Sequence, residues 1–391
     1  MRNKDEHRRR EERMKLTIRK NELNEAVQQA AKAVSSRPAI PILSGIKFDA
    51  DPQGLTLTAS DTEISIQTHV PAEIDGEPIV RVERPGSIVL PARFMAEIVK
   101  KLPEDEVEFE QQGGFQVTIR SGATDIQMIG LDAEEFPLLP DIGRQQVFTM
   151  PGELLKNMIR QTIFATSTNE QTPILTGIQW QMQGGELKFT ATDRHRLSTC
   201  SAGVDAPEGE RFASIVIAAR TLNELSRIIP DSQDPVEIAA ADNQVLFRIG
   251  RVLFYSRVLD GAYPDTSRII PQEFKTEMEI DTRRLTEAID RAYLMSREEK
   301  TNIVRIVTLG GGDIEISSSS TELGRVTEQI RTVRLEGDEL RIAFNSKYML
   351  DALRVIDSER IFIGFNGSMS PIVIRPTDAD RQLHIILPYR T

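Results

Sequence analysis

The sequence predicts an α+β chain made of three copies of one unit, each with two helices packed on antiparallel sheets. Three observations predict it. Two near-identical hexapeptides, Pro41-Ile42-Leu43-Ser44-Gly45-Ile46 and Pro173-Ile174-Leu175-Thr176-Gly177-Ile178, stand 132 residues apart, each between a helical pattern and alternating strands. Leu23, Leu154 and Leu285 recur at two equal intervals of 131. The strand-to-helix junctions Leu90-Pro91-Ala92, Ile217-Ala218-Ala219 and Phe344-Asn345-Ser346 recur at two equal intervals of 127. Leu131-Asp132 and Leu259-Asp260 add a further match, at 128.

The first copy opens with a strand over 15–19 and an amphipathic helix carrying Leu23, Val27, Ala30, Ala31 and Val34 on one face. The hexapeptide follows, then a strand through Lys47 and Phe48, a turn at Pro52-Gln53-Gly54, and alternation at Leu55, Leu57 and Ala59. Ile64, Ile66 and His69 alternate with polar residues, and 87–90 reads as a strand. Pro91 then starts a helix over 92–101, where its missing N–H costs nothing. Strands within 107–118 and 125–131 surround turns at Gly113-Gly114 and Gly122.

The second copy repeats the order: strand 147–150, helix 153–163, the second hexapeptide, Trp180, a Gly184-Gly185 turn and strand 187–191. Strand 214–218, helix 219–229 and strands across 236–259 complete it. The third copy has strand 277–280, a helix with Leu285, Ile289 and Ala292, and a turn at Gly310-Gly311-Gly312. Strands over 314–320 and 340–344, helix 346–356 and closing strands to Tyr389 follow. Its hexapeptide is lost; Thr301-Asn302-Ile303-Val304-Arg305-Ile306 stands at the expected place. The domains expected are 14–140, 146–267 and 275–391, behind a disordered extension over 1–13. The joints, Phe136-Pro137-Leu138-Leu139-Pro140 and Tyr263-Pro264-Asp265 onward to Pro271, are too short to be flexible linkers.

Composition excludes several classes. A single cysteine, Cys200, rules out an intramolecular disulfide framework and fits a reducing, cytoplasmic setting. No apolar run approaches the ~18 residues of a membrane span. Arg8, Arg9 and Arg10 could touch nucleic acid, but a solvated tail is the plainer reading. Net charge is −11, yet the six expected helices sum to +6, leaving −17 elsewhere. Lysine and arginine are good helix formers, so any one basic helix means little. Five of six being basic, and none acidic, suggests a surface that meets phosphates without reading bases. Its candidate contacts are Lys100, Lys101, Arg160, Arg220, Arg283 and Lys347.

Nothing points to catalysis. The four histidines, His7, His69, His195 and His384, have no metal-ligand spacing. No nucleophile-elbow, phosphate-loop or dinucleotide glycine pattern occurs. Cys200 reads as a small buried residue, and Glu104, Asp105, Glu106 and Glu108 as a solvated hairpin. No catalytic residue, metal ligand or cofactor is expected. The competing readings are a β-rich hydrolase using carboxylates such as Asp193 or Glu106, and an acidic scaffold with no DNA role.

Four stretches carry a family resemblance: residues 37–43 (Arg37-Pro38-Ala39-Ile40-Pro41-Ile42-Leu43), residues 191–197 (Ala191-Thr192-Asp193-Arg194-His195-Arg196-Leu197), the Tyr263-Pro264-Asp265 joint, and the tail Leu387-Pro388-Tyr389-Arg390. With the triplication, they make residues 14–391 resemble the bacterial DNA sliding clamps, the beta subunits of DNA polymerase III. The resemblance implies a head-to-tail homodimer, a ring of six repeats with helices lining a hole for duplex DNA. It adds Arg37 to the DNA contacts. The loop before the second hexapeptide, Asn169-Glu170-Gln171-Thr172, lacks the aromatic residues of some members.

The resemblance also implies a peptide-binding groove between copies two and three. Matching positions are Thr172, Leu175, Thr192, Arg194, His195, Arg196 and Leu197; then Pro264, Arg268 and Ile269; then Met369, Pro371, Ile385 and Ile386; and finally Leu387, Pro388, Tyr389 and Arg390. Such an apolar cleft with a basic rim suits a short peptide with leucine or aromatic anchors. Without the resemblance, Leu175, Leu197 and Ile386 read as core. Departures are Arg194 for a common glycine, Tyr389 for a common methionine, and Thr391 where leucine is frequent. Ile126 and Met128 should meet Leu294 and Met295 across the subunit interface. Partners implied are double-stranded DNA, a second copy, the replicative polymerase catalytic subunit, the clamp loader, translesion polymerases, mismatch-repair proteins and DNA ligase. No membrane partner is implied.

Overall fold

A computed structural model describes residues 13–35, 38, 40–139, 147–206, 212–241, 243–298, 301–379 and 381–390. Arg37 and almost all of the 1–13 extension lie outside the described residues. The chain forms two compact units: one holds Met1–Pro151 with Arg227–Arg257, the other Gly152–Ser226 with Val258–Thr391. The units cut across the second copy because strands pair across the joints.

In the first unit a five-stranded antiparallel sheet runs Thr124–Ile129, Gln116–Ser121, Glu106–Gln111, Lys15–Arg19, Val80–Arg84. An eight-stranded sheet joins the two copies where Val252–Arg257 pairs with Ile64–Pro71. In that second strand Ile64, Ile66, Thr68 and Val70 point inward and His69 points to the opposite face, bonded to Thr56. His69 is therefore not one of the alternating core positions.

Helix α1 (Lys20–Ala30) buries Leu23, Ala26, Val27 and Ala30. The backbone then tightens into a 3₁₀ turn over Ala31–Ala33, which changes the phase. Ala33, rather than Ala31 or Val34, takes the next core position. Helix α2 (Ala92–Lys101) follows Pro91 as expected and buries Met95 and Val99.

The second unit carries a nine-stranded sheet and a four-stranded sheet. In the larger one Arg196–Gly203 pairs with Gln382–Ile386, which pairs with Ile372–Pro376. Its helices are α3 (Gly152–Ile163), α4 (Ala219–Ser226), α5 (Thr282–Glu298) and α6 (Ser346–Leu353). Helices α4 and α6 each stop three residues before the expected end. Lys32, Arg227 and Arg354 thus fall past the helices, which lowers their summed charge from +6 to +3. The basic-helix argument is weakened accordingly.

The repeat register also sharpens. Leu155, not Leu154, is the buried fourth residue of α3, as Leu23 is of α1 and Leu285 of α5. The first two of these lie 132 apart, the same interval as the hexapeptides. Both hexapeptides form a 3₁₀ turn closed by a hydroxyl, Ser44 to the Pro41 carbonyl and Thr176 to the Pro173 carbonyl, each at 2.7 Å. The glycine that follows opens a strand. A Cβ on Gly177 would lie 2.6 Å from the Ile217 carbonyl oxygen, and one on Gly45 would collide with Val89. In the third copy Ile303 pairs with Asn345 as Gly45 pairs with Pro91 and Gly177 with Ala218. The lost hexapeptide therefore maps to 299–304, two residues earlier than the sequence suggested.

Candidate functional site

The second unit's candidate groove is built around a tight turn after Glu186–Thr192. Asp193 Oδ1 accepts from the backbone N–H groups of His195 (2.9 Å) and Arg196 (3.0 Å). Thr192 Oγ1 accepts from the Arg194 N–H at 3.1 Å and donates to the Arg196 carbonyl at 2.6 Å. These bonds hold Arg194 at φ +76°. The tail closes on the turn, with the Leu387 N–H donating to the His195 carbonyl at 2.9 Å.

Strand alternation sorts the candidates. Leu197, Val373 and Ile385 sit side by side on one sheet face, continued by Ile270, Phe274 and Leu383. Arg196 and Ile386 point to the opposite face, where Ile386 joins the helix-covered core. Arg196 is no rim cation. Its guanidinium pairs with Asp193 (3.0 Å) and Asp351 (2.7 Å) and lies over the rings of Tyr348 and Phe164. Its side chain is only 12% exposed, so it clamps α6 to the turn.

Leu175 is buried in its 3₁₀ turn, and Thr172 precedes that turn, its carbonyl accepting from the Leu175 N–H. Pro264, Arg268, Arg194, His195 and Arg390 are exposed; Arg268 lies 3.7 Å from Asp265. Hydrogen bonds from Ser267 hold the Asp265 carboxyl below its usual range. Ile269, Met369, Leu387 and Tyr389 are exposed apolar side chains, and Pro371 and Pro388 are half-buried. Tyr389 is not in a strand, though its N–H donates to the Ala343 carbonyl at 2.7 Å.

Sequence reasoning named Tyr263 only as part of the joint and left it out of the groove, yet its hydroxyl accepts from the Thr192 N–H at 3.0 Å and burial pushes its phenol well up in pKa. It also missed Leu383, which the period of two shared with Ile385 and Leu387 would have revealed. Cys200 is buried, its thiol pushed up by desolvation, which makes it a poor nucleophile.

The candidate phosphate contacts among the described residues are all exposed. Lys100 and Lys101 end α2, and Lys347 lies in the first turn of α6. Arg160 is bound to Asp357 at 2.5 Å and Arg283 to Glu287 at 2.8 Å, so a phosphate would have to displace a carboxylate there. Arg220 is the second residue of α4. Ile126 and Met128 are half-buried on the edge strand Thr124–Ile129; Leu294 is exposed and Met295 half-buried near the end of α5. No helix among the described residues is long and apolar enough to cross a membrane.

Three domain families match in order: the N-terminal, central and C-terminal domains of the DNA polymerase III beta subunit, at residues 14–140, 149–265 and 267–390. The chain belongs to the DNA polymerase III beta subunit family, the bacterial sliding clamps. It is 48% identical to the beta sliding clamp of Bacillus subtilis, over 97% of this chain and the whole of the relative. It is 41% identical to that of Staphylococcus epidermidis, also over 97% of this chain and the whole relative. Its fold matches the Bacillus subtilis clamp structure at a TM-score of 0.95, covering 97% and 99% of the two chains. The Streptococcus pneumoniae beta chain matches at 0.92 with 34% identity, covering 97% of this chain and all of that one. As a member of this family the chain is a DNA sliding clamp, a non-catalytic processivity factor, and the hydrolase and DNA-free scaffold readings fall away.

Proposed function

We propose that two copies of the chain close head to tail into a ring around duplex DNA in the bacterial cytoplasm, sliding without sequence preference. Three domains, 14–140, 146–267 and 275–391, would make half the ring. The match of all three beta-subunit domains, in order and nearly end to end, carries this reading. Among the described residues the five-stranded sheet ends in Thr124–Ile129 and the four-stranded sheet in Gly324–Arg331, edge strands that a second copy can cover. Lys100, Lys101, Arg160, Arg220, Arg283, Lys347 and Arg37 would meet phosphates weakly, so that the ring holds by topology and still slides. Light scattering should give twice 43.9 kDa, and the loaded chain should stay on nicked circular DNA while leaving linear DNA. A monomer, or equal retention on both, would refute the ring.

The face of Leu197 and Ile385, with the exposed apolar residues of the tail, is suited to a short linear peptide. The replicative polymerase, clamp loader, translesion polymerases, mismatch-repair proteins and DNA ligase would dock there by such peptides. Leu175→Ala with Leu197→Ala should abolish peptide binding and leave the dimer intact; unchanged peptide affinity would sink the assignment.

A further inference from the structure

The turn around Asp193 has a twin in the first unit. Asp61 Oδ1 accepts from the N–H groups of Glu63 (2.9 Å) and Ile64 (2.8 Å), as Asp193 Oδ1 does from His195 and Arg196. Thr62 sits at φ +80° and Arg194 at +76°. The Thr62 N–H donates to Ser60 Oγ at 3.2 Å, and the Arg194 N–H to Thr192 Oγ1 at 3.1 Å. The closing strand repeats too: Arg257 N–H donates to the Glu63 carbonyl, and Leu387 N–H to that of His195, both at 2.9 Å. Strand register then places Ser65 where Leu197 stands and Tyr255 where Ile385 stands.

Beside this twin turn lies a cavity of about 280 Å³, walled by Thr62, Glu63, Ser65, Leu138, Tyr255 and Arg257 among others. That volume admits one large side chain. Leu138 follows Pro137, which stands 127 residues before Pro264. It is 94% exposed, more than any other large hydrophobic residue described. A leucine held in water beside an open cavity is apolar surface awaiting a partner. The charge differs from that of the first groove. Thr62 replaces Arg194 and Glu63 replaces His195, so the turn that is basic in one groove is acidic in the other.

We propose that this cavity is a second peptide-docking groove. Its partner is a short extended segment with one leucine or aromatic anchor lodged between Leu138 and Tyr255, and an adjacent lysine or arginine facing Glu63. The inference rests on the reading that the Leu197–Ile385 face takes peptides, and it adds a second site whose turn presents Glu63 where the first presents His195, with Arg257 on the wall. One chain would then sort partners by the charge beside their anchor.

The test uses the full chain and two fluorescein-labelled hexapeptides, Lys-Ser-Leu-Lys-Leu-Phe and Glu-Ser-Leu-Glu-Leu-Phe, read by anisotropy. Glu63→Lys and Leu138→Ser change exposed side chains, so the fold should survive, as unchanged melting would verify. Each should weaken the basic probe by roughly tenfold or more and leave the acidic probe unaffected. Leu175→Ala with Leu197→Ala should do the reverse. A basic probe that ignores Glu63→Lys, or that does not bind the wild type, overturns the second groove. An acidic probe that ignores the double alanine variant overturns the first-groove reading, on a different probe and a different variant.

Discussion

Arg194 holds a left-handed backbone conformation that costs a residue with a Cβ about 1 kcal/mol. The Asp193 and Thr192 hydrogen bonds fix the turn, so the strain is not relaxed by rotating away. Arg194→Gly should raise the unfolding free energy by about 0.5–1 kcal/mol, seen as a later urea midpoint at unchanged slope. A second residue, His384, is fully buried and its pKa is lowered to about 3 by desolvation. Ser198 Oγ donates to the Gln161 carbonyl and so accepts from His384 Nδ1, while Gln382 donates to Nε2. The network thus fixes the neutral ring. The unfolded chain, with its histidine near 6.5, takes up a proton that the folded chain refuses. Stability from this residue is therefore constant above about pH 6.5 and falls as pH drops from there toward 3. The advantage of wild type over His384→Gln in urea unfolding should shrink by about 2 kcal/mol between pH 7 and pH 5. No sequence signal separated His384 from His195: one lies at an even, core-facing position of its strand, the other at the tip of an exposed turn.

At the scale of elements, the eight-residue helix α6 depends on its cap. Asn345 Oδ1 accepts from the N–H groups of Lys347 (3.0 Å) and Tyr348 (3.3 Å), and the helix presents Tyr348 and Asp351 to Arg196. Asn345→Ala should cost about 1 kcal/mol of stability, measured by chemical denaturation. The starts of α2, α4 and α6 were legible because the strand-to-helix junctions repeat at 127. The ends of α1, α4 and α6 were not, because Lys32, Arg227 and Arg354 extend the amphipathic pattern past the point where the backbone turns. The equal leucine spacing misled for a related reason. Two adjacent leucines, Leu154 and Leu155, both satisfy the pattern, and only burial distinguishes them. The strand Val80–Arg84 went unread because two valines among charges are too short a run to show a period. The groove was legible residue by residue only through the resemblance; which candidates share a face needed the strand register.

The whole-molecule reading turns on an interface between unlike edges, which makes a sharper demand than dimerisation alone. Each copy would offer Thr124–Ile129 at one end and the α5 region with Gly324–Arg331 at the other. Leu294 is 47% exposed on α5 and Ile129 is 79% exposed on the edge strand, so both tolerate change without disturbing a core. Leu294→Asp alone should convert the dimer to a monomer of 43.9 kDa, because a closed ring uses that edge at both interfaces. Ile129→Asp should do the same from the opposite edge. Mixing the two monomeric variants is the decisive measurement. The intact first-copy edge of one then meets the intact third-copy edge of the other, while the remaining interface carries both aspartates. Light scattering should therefore recover a dimer from the mixture, and that dimer, open at one interface, should fail to stay on nicked circular DNA. If the interface instead joined identical surfaces, mixing would restore nothing.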